Sequence, residues 1–522
     1  MDSHRRVTAS SVQLINANAP FSCFDWCETN LAPIESIRRC FSLARSLGMQ
    51  TFIAEDIPAD GIIRDENREL QALALDYVMP VLKRLSFWKA PITSIKDILS
   101  TDPSDLCGYA IVKHDLAPSQ SINRWHVFEA VFRKYPHEHN CVPNPRDYRL
   151  RVNGAEFVIP GILYAQQNGL NKACAHVALR TLISRRVPGG DLPYAKLNQL
   201  AANATPGTYK PGEGLSAPQI RAILRHFKIP FRDIDYTKEE EKHADIRQTH
   251  PFQKFLYAGI ESGCGGLLGF RMTGPQATEA RHIIPFFGHT FNKDTWVPDA
   301  DTAYFNVGGG LGYIPSESWT SSFLGHDDNF GPNLCVPRLY VKPEQVEYVV
   351  ELLRDSVAYG GVEAEAITLF FLCSLWPHLA KSRNQWMKRL ARDAHPSKQR
   401  VVLRAVCVSK DAYLQHVRGD ADWNNKREPP NLIAILAQFL PKILWVVEIS
   451  LPHLFPANEH KVGEILLNPT IPFDPKKTIS YKHFLFARLP GRVFVLKSVN
   501  SGAPKFMEVP SACESHRPLL RT

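Results

Sequence analysis

The chain has 522 residues, of which 44% are hydrophobic and 22% are charged, and its formal net charge is +9 at pH 7. These values are typical of globular proteins, so they exclude a disordered chain and a fibrous one, and the length predicts two to four domains. The net charge is small for this length, so it permits an acidic partner without requiring one.

Eleven cysteines are spread along the chain at irregular spacings, and the first residues contain no apolar run of the signal-peptide type. This pattern is typical of a reduced, cytoplasmic protein rather than a disulfide-stabilised one. The two longest apolar stretches are residues 366–376, which are too few to cross a bilayer, and 433–455, which prolines and charged residues interrupt. We therefore expect no membrane span.

Residues 1–147 are predicted to form a mixed α+β region. Helical periodicity covers residues 33–48 and 67–79, and short strand candidates occupy 51–54 and 108–113. A loop rich in Pro, His and Asn precedes residue 147 and is typical of a domain boundary.

Residues 148–336 are predicted to form the second domain. It opens with a hairpin over 148–163, because the pair Asn153-Gly154 tolerates the positive φ angles of a tight primed turn. Further predicted elements are helices over 171–185, 216–227 and 252–262, followed by strand-like segments from 265 to 305. Residues 337–522 are predicted to be a separate α+β domain that begins with helices over 343–357 and 362–392.

Cys174 is the first candidate for chemistry, because it lies in the first turn of the helix predicted over 171–185, with Asn171 as the N-cap. A thiol in this position faces unpaired backbone N–H groups and the positive end of the helix dipole. Both favour the thiolate, which is the nucleophilic form. A buried structural cysteine is the alternative interpretation.

The order of elements further along the chain favours catalysis. A helix that ends in Gly263 is followed by a strand, and a second predicted strand then begins with His282. A turn over 288–293 leads into a short strand that ends at Asp299. A base at the head of one strand and a carboxylate at the end of its hairpin partner can lie side by side, and the carboxylate then orients the imidazole.

From residue 155 to 301, this layout resembles that of papain-fold cysteine peptidases, and most closely the leader-cleaving peptidase domains of bacteriocin exporters and their free-standing relatives. The shared order is a glutamine, a helix headed by the nucleophilic cysteine, and a Gly-Leu-Ser helix start (here 214–216). A helix ending in Gly, a strand, a histidine and an Asp or Asn follow, and here 17 residues separate His282 from Asp299. The resemblance implies a papain-like catalytic core, flanked by the N-terminal mixed α+β region and the C-terminal α+β domain.

The same resemblance implies roles for individual residues: Cys174 as nucleophile, His282 as acid and base, and Asp299 as the group that orients it. In the family, a glutamine about six residues before the cysteine helps to hold the oxyanion. Here Gln167 lies seven residues before Cys174, Gln166 lies eight before it, and Asn168 occupies the usual place. All three stay open as donors.

An alternative base is His289, which lies seven residues after His282, with Asp299 or Asp301 as its partner. The nearby cluster His137, His139 and Cys141 lacks paired zinc-ligand spacing, so we expect no metal site. We also expect no organic cofactor, because the predicted chemistry needs none.

The sequence therefore predicts a cysteine peptidase or related thiol amide hydrolase that acts on a protein or peptide substrate through a thioester. The same residues also suit a transglutaminase or deamidase, and a papain-fold scaffold without turnover is the alternative from another class. The flanking regions are candidates for binding a partner protein. Residues 381–400 carry seven basic side chains, one acid and Trp386. Such a stretch can contact nucleic acid, although a solvated helical face is the simpler interpretation.

Overall fold

A computed structural model describes residues 12–32, 34–134, 140–273, 279–291, 305–308, 311–395, 398–455, 460–474, 476–500 and 503–519. Within these ranges the chain is a mixed α+β protein built around three β-sheets. None of the helices in these ranges combines the length and the apolar character that crossing a bilayer requires. All eleven cysteines fall within the described ranges, and each is a free thiol.

The strands, numbered in chain order, are β1 Val12–Asn16, β2 Thr51–Asp56, β3 Val78–Trp88, β4 Leu106–Ala117, β5 Ile122–Phe132, β6 Asn140–Cys141, β7 Arg146–Val152, β8 Ala155–Tyr164, β9 Phe231–Asp235, β10 Gly266–Thr273, β11 Glu279–Thr290, β12 Phe305–Gly308, β13 Leu311–Pro315, β14 Ser322–Asp327, β15 Gly331–Pro337, β16 Val346–Leu352, β17 Val402–Ser409, β18 Ile443–Ser450, β19 Gly463–Leu467, β20 Phe484–Leu489, β21 Arg492–Asn500 and β22 Ala503–Pro510.

The α-helices are α1 Ser22–Asn30, α2 Glu35–Ser46, α3 Gly61–Leu73, α4 Cys174–Ile183, α5 Tyr194–Ala204, α6 Ala217–His226, α7 Tyr236–Glu239, α8 Ile246–Thr249, α9 Phe252–Glu261, α10 Gly361–Lys381, α11 Gln385–Asp393, α12 Lys410–Gly419 and α13 Pro430–Phe439. Short 3-10 helices cover Ile95–Ser100, Pro103–Asp105, Pro118–Gln120, Ser184–Arg186, Ser316–Trp319, Pro343–Gln345 and Tyr481–His483.

The first sheet has the order β1-β2-β3-β4-β5-β8-β7, and the second has the order β15-β14-β11-β10-β16-β9, with β6 paired to β11. The third runs β12-β13-β17-β18-β19-β20-β21-β22. The predicted hairpin is confirmed as β7–β8: Val152 pairs with Ala155, and the two turn residues have φ angles of 45° and 84°. Asn and Gly are the residues that adopt this left-handed conformation most readily, so they set the turn.

Strand pairing crosses both predicted domain boundaries. The boundary after residue 147 falls inside β7, and β8 is hydrogen-bonded to β5 of the N-terminal region. The boundary after residue 336 leaves β16 outside the second sheet, although β16 pairs with both β10 and β9. The sheets therefore do not follow the division into 1–147, 148–336 and 337–522, and the three parts are joined by shared hydrogen-bonded strands.

Three predicted helices differ in the structure. Residues 343–357 do not form the predicted α-helix: after the short 3-10 helix Pro343–Gln345 they contain β16, whose residues are nearly all buried and which lies between two neighbouring strands. The helix predicted over 362–392 is divided into α10 and α11, because the side chain of Asn384 accepts hydrogen bonds from two backbone N–H groups and begins a new helix. The helix predicted over 67–79 is α3, which begins at Gly61 and ends at Leu73.

Helix α4 lies against β11 of the second sheet. Its Ala178, Leu179 and Leu182 are buried in one cluster with Ile283 and Phe287 of β11. Apolar residues recur at helical spacing along α4, so one side of the helix is covered by the sheet. This packing positions the beginning of α4 beside β11.

Candidate active site

Cys174 is the first residue of α4 and is partly exposed, whereas the remaining residues of the helix are buried. The expected N-cap, Asn171, does not cap the helix: its side chain instead donates to Glu69 Oε2 at 2.9 Å. Ala173 is the N-cap residue, and its backbone N–H donates to Nδ1 of His176 at 3.1 Å. The side chain of His176 therefore occupies the place of a capping carboxylate and defines where the helix begins.

His282 lies on β11 and is 95% buried, and the Cys174 thiol is one of the neighbouring groups that raise the pKa of its imidazole. Its Nε2 lies 3.2 Å from Asp327 Oδ2 and 3.5 Å from Asp328 Oδ1. Burial lowers the pKa of His282, but the hydrogen bonds to Asp327 and Cys174 and the charge of Asp328 outweigh it and raise the pKa to about 10. The imidazole is therefore protonated at neutral pH.

Asp327 is the last residue of β14, the strand that pairs with β11 on the side away from β10. Its Oδ1 accepts hydrogen bonds from the backbone N–H groups of Asn329 at 2.8 Å and Phe330 at 3.3 Å, which leaves Oδ2 for His282. Burial raises the pKa of Asp327, but the hydrogen bond and charge of His282 and these two N–H groups lower it overall. Asp327 is thus an ionised, fixed partner of the imidazole.

Asp328, the neighbouring residue, differs from Asp327 in its environment. Burial raises its pKa to about 6, although the charge of His282 acts in the opposite direction. Its Oδ2 is buried and has no hydrogen-bond partner among the described residues. Of the two carboxylates, Asp327 is therefore the one that the surrounding structure holds in place against His282.

The carboxylates predicted from the sequence, Asp299 and the alternative Asp301, lie outside the described residues. The carboxylates that the structure places on His282 are Asp327 and Asp328, which the sequence interpretation missed. Asp327 is 45 residues from His282 along the chain, and only the pairing of β14 with β11 brings the two together. The available signal was a second apolar strand that ends in two carboxylates just before a turn.

His289, the alternative base, is engaged elsewhere. Its Nε2 lies 2.7 Å from Glu261 Oε1 and its Nδ1 lies 2.9 Å from the Thr290 carbonyl oxygen. Its cross-strand neighbour is Cys141. Burial lowers the pKa of His289, but hydrogen bonds to Cys141 and Glu261 raise it to about 10. Because both ring nitrogens have other partners, the structure does not support His289 as the base for Cys174.

The three candidate oxyanion donors have different partners. Asn168 is buried and fully used: its amide nitrogen donates to Glu66 at 2.7 Å and to Asn171 at 2.8 Å, so it is not free to hold an oxyanion. Gln166 Oε1 accepts from Ser36 Oγ at 2.8 Å and from the Val127 N–H at 3.0 Å, an arrangement that fixes the amide group.

The remaining donor, Gln167, contacts the turn that follows Asp327. Its Nε2 donates to Asn329 Oδ1 at 3.4 Å, and its backbone carbonyl oxygen accepts a hydrogen bond from the guanidinium of Arg124. Gln166 and Gln167 therefore both stay candidates. The backbone N–H of Cys174 itself, in the first turn of α4, is a further donor of the kind that an oxyanion needs.

The N-terminal region supports the loop that precedes Cys174. Lys172 is fully buried between the rings of Phe128 and Tyr194, with its Nζ 4.7 Å from each ring centroid and 3.1 Å from Glu66 Oε1. Buried charges need such partners, because their desolvation is costly. Glu66 belongs to α3, so the position of the loop that leads to Cys174 depends on a helix from the N-terminal region.

His282, Asp327 and Asp328 are also a donor set that a divalent cation can bind, since one donor atom of each residue lies within 4.8 Å of the others. An imidazole nitrogen and two carboxylate oxygens suit several divalent metals. Binding there would displace the proton that joins Nε2 to Asp327. The loop with His137 and His139 lies outside the described residues.

No protein-family model matches this sequence, and no curated protein or solved structure matches it either.

Proposed function

We propose that the protein is a thiol-dependent hydrolase of peptide or amide bonds, with Cys174 as nucleophile, His282 as acid and base, and Asp327 as the residue that orients His282. The observation that carries this proposal is the interaction of the Cys174 thiol with a protonated imidazole that a buried carboxylate also contacts. This arrangement of nucleophile, base and orienting group is the one that covalent acyl transfer requires.

The reaction would proceed in two steps. In the first, the Cys174 Sγ thiolate attacks the carbonyl carbon, the C–N bond breaks, and the proton of His282 passes to the leaving nitrogen, so that a thioester and a neutral imidazole remain. In the second, His282 removes a proton from water, the water oxygen attacks the thioester carbon, and the C–S bond breaks, which releases the acid product and restores the thiolate and the protonated His282. Asp327 engages Nε2, so Nδ1 is the ring nitrogen available for these proton transfers.

A hydrogen-bonded and electrostatically assisted thiol should react with electrophiles faster than an ordinary one. Cys335 of the same chain serves as the reference thiol. It is an exposed residue, and the burial of its sulfur raises the pKa of its thiol. We expect iodoacetamide at pH 7 to alkylate Cys174 roughly tenfold faster or more than Cys335, as measured by peptide mass spectrometry over time. Equal rates at the two cysteines would contradict an activated thiol.

Turnover is tested with an unbiased mixture of peptides. Wild-type protein and the Cys174→Ala variant are each incubated with the same library, and new termini are identified by mass spectrometry. Cleavage by the wild type that is absent with the variant supports the proposal, and addition of a primary amine tests whether the thioester is also discharged by acyl transfer. If neither new termini nor amine adducts appear while Cys174 reacts no faster than Cys335, the protein is a scaffold without turnover.

A further inference from the structure

A cleft of about 190 Å³ lies in the C-terminal part of the chain, and aromatic side chains form much of its wall. The rings of Trp386, at the start of α11, and Trp423, which follows α12, have centroids 5.7 Å apart. The centroid of the His460 ring lies 6.0 Å from that of Trp423. Trp423 is 44% exposed, so part of its ring surface is open to solvent.

The loop that carries Trp423 is held in place by its own backbone. Asp422 Oδ1 accepts hydrogen bonds from the N–H groups of Asn424 and Lys426, both at 2.8 Å. The backbone N–H of Trp423 donates to Ser515 Oγ at 3.4 Å. An exposed ring on such a fixed loop loses little conformational freedom when a ligand stacks on it.

Basic residues lie on α11, the helix that contributes Trp386 to the cleft. Helix α11 carries Lys388, Arg389 and Arg392, and the guanidinium of Arg389 lies 5.6 Å from the centroid of the Trp386 ring. Asp393 is the only acid between residues 381 and 400, and it pairs with both arginines of the helix. The sequence from 381 to 400 thus contains seven basic residues and one acid, and Glu514 is an acid among the residues that line the cleft.

The arginines converge in space as well as in sequence. Burial lowers the pKa of His453, as do the charges of Arg389, Arg400 and Arg392, whereas the charge of Asp393 raises it. The three guanidinium groups and Asp393 therefore all lie near this one histidine. The buried Lys461 at the base of the cleft adds little to this field, because Glu448 and Glu464 neutralise it at 2.7 Å and 2.6 Å. The surface charge is thus supplied by α11 and its flanking residues.

We propose that this surface binds single-stranded nucleic acid, with an unpaired base stacked on Trp423 and successive phosphates bound by the cations of α11. An exposed aromatic platform beside a basic track is the combination that single strands require. The cations are spread along a nine-residue helix, about 13 Å long, so they suit a polymer better than the phosphate of one nucleotide. A duplex hides the base faces that such a platform contacts.

The test uses the full chain carrying Cys174→Ala, so that its outcome does not depend on the proposed hydrolase activity. Binding of a fluorescein-labelled twelve-residue oligothymidylate is followed by anisotropy. With three or four phosphates neutralised, the affinity should fall roughly 20- to 50-fold between 50 and 200 mM salt. The matching duplex should bind more weakly than the single strand.

Variants separate stacking from charge. Trp423→Ala should weaken binding of the single strand roughly 5- to 150-fold with little change in salt dependence, and Trp423→Phe should restore most of the loss. The pair Lys388→Gln and Arg392→Gln should weaken binding and reduce the salt dependence. Arg149→Gln with Arg151→Gln removes the same charge from exposed positions on β7, 79% and 75% accessible, and should change neither.

Three results would overturn the proposal. The first is no binding at 50 mM salt. The second is equal binding of single strand and duplex together with unchanged binding by Trp423→Ala, which would mean a surface that attracts any polyanion. The third is an equal loss of affinity in Arg149→Gln with Arg151→Gln and in Lys388→Gln with Arg392→Gln. If Trp423→Ala fails to fold, the comparison of the two charge pairs decides the question.

Discussion

The contact between His282 and Asp327 carries the proposed mechanism, and Asp327→Asn perturbs it with little change in shape. The two side chains are 4% and 8% exposed, so water screens their interaction only weakly. A hydrogen bond to a charged group contributes about 1.5–3 kcal/mol. Taking about 2 kcal/mol for this pair, we expect kcat/KM to fall roughly 30-fold. KM should change little, because Asp327 contacts the imidazole and not the substrate.

The pH profile distinguishes a role in orienting His282 from a role in folding. Because Asp327 raises the pKa of His282, its loss should move the alkaline limit of activity from near pH 10 towards neutrality. The assay is peptide cleavage, or alkylation of Cys174, measured from pH 6 to 10.5. Thermal unfolding is measured in parallel, with Asp355→Asn as the control, since the Asp355 side chain is 81% exposed and its ion pair is with Arg186 and not with His282.

The same assay shows which carboxylate, among those of Asp327, Asp328 and Asp299, orients His282. Asp328→Asn should lower the rate less than Asp327→Asn, because no backbone N–H among the described residues holds Asp328 Oδ2 in place. If Asp299→Asn has the largest effect of the three, the carboxylate predicted from the sequence orients the base. If Asp327→Asn keeps the wild-type rate to within about threefold and leaves the alkaline limit unchanged, Asp327 does not orient His282.

Three other predictions concern the two histidines and the C-terminal part of the chain. Alkylation of Cys174 near pH 6 should slow sharply in His282→Ala and change little in His289→Ala, and the reverse order would make His289 the base. The pKa of each histidine is raised from 6.5 to about 10, so the folded state retains their protons longer than the unfolded state does. The contribution of these two histidines to stability is therefore complete below about pH 6.5 and is lost as the pH rises to about 10. The free energy of unfolding in urea should show this decline, and the decline should be smaller in His282→Ala and in His289→Ala. A chain ending at residue 340 should aggregate, because it lacks β16 from the interior of the second sheet; a monomeric, folded fragment in size-exclusion chromatography would contradict this.

Local sequence was sufficient where a few neighbouring residues determine the structure. The turn at Asn153-Gly154 follows from the φ angles that these two residues tolerate, so the hairpin and its register were predictable. The helix headed by Cys174 and the strand that contains His282 were predictable from apolar spacing. The broad class, a mixed α+β protein, followed from the same patterns.

Tertiary structure decided which residues meet. A buried strand and a buried helix both appear as apolar runs in a sequence. The segment that forms β16 therefore reads as a helix, and its pairing with two neighbouring strands makes it a strand. No local pattern indicates that Asp327 contacts His282, since β14 and β11 pair across 45 residues. Likewise Lys172 finds Glu66 only because α3 packs beside the loop that precedes Cys174. The sequence on its own determined the helix that begins with Cys174 and the strand that contains His282. The carboxylate that contacts His282 and the buried charges near Cys174 depend on contacts between distant segments. Long-range packing, and not local preference, brings such groups within hydrogen-bond distance.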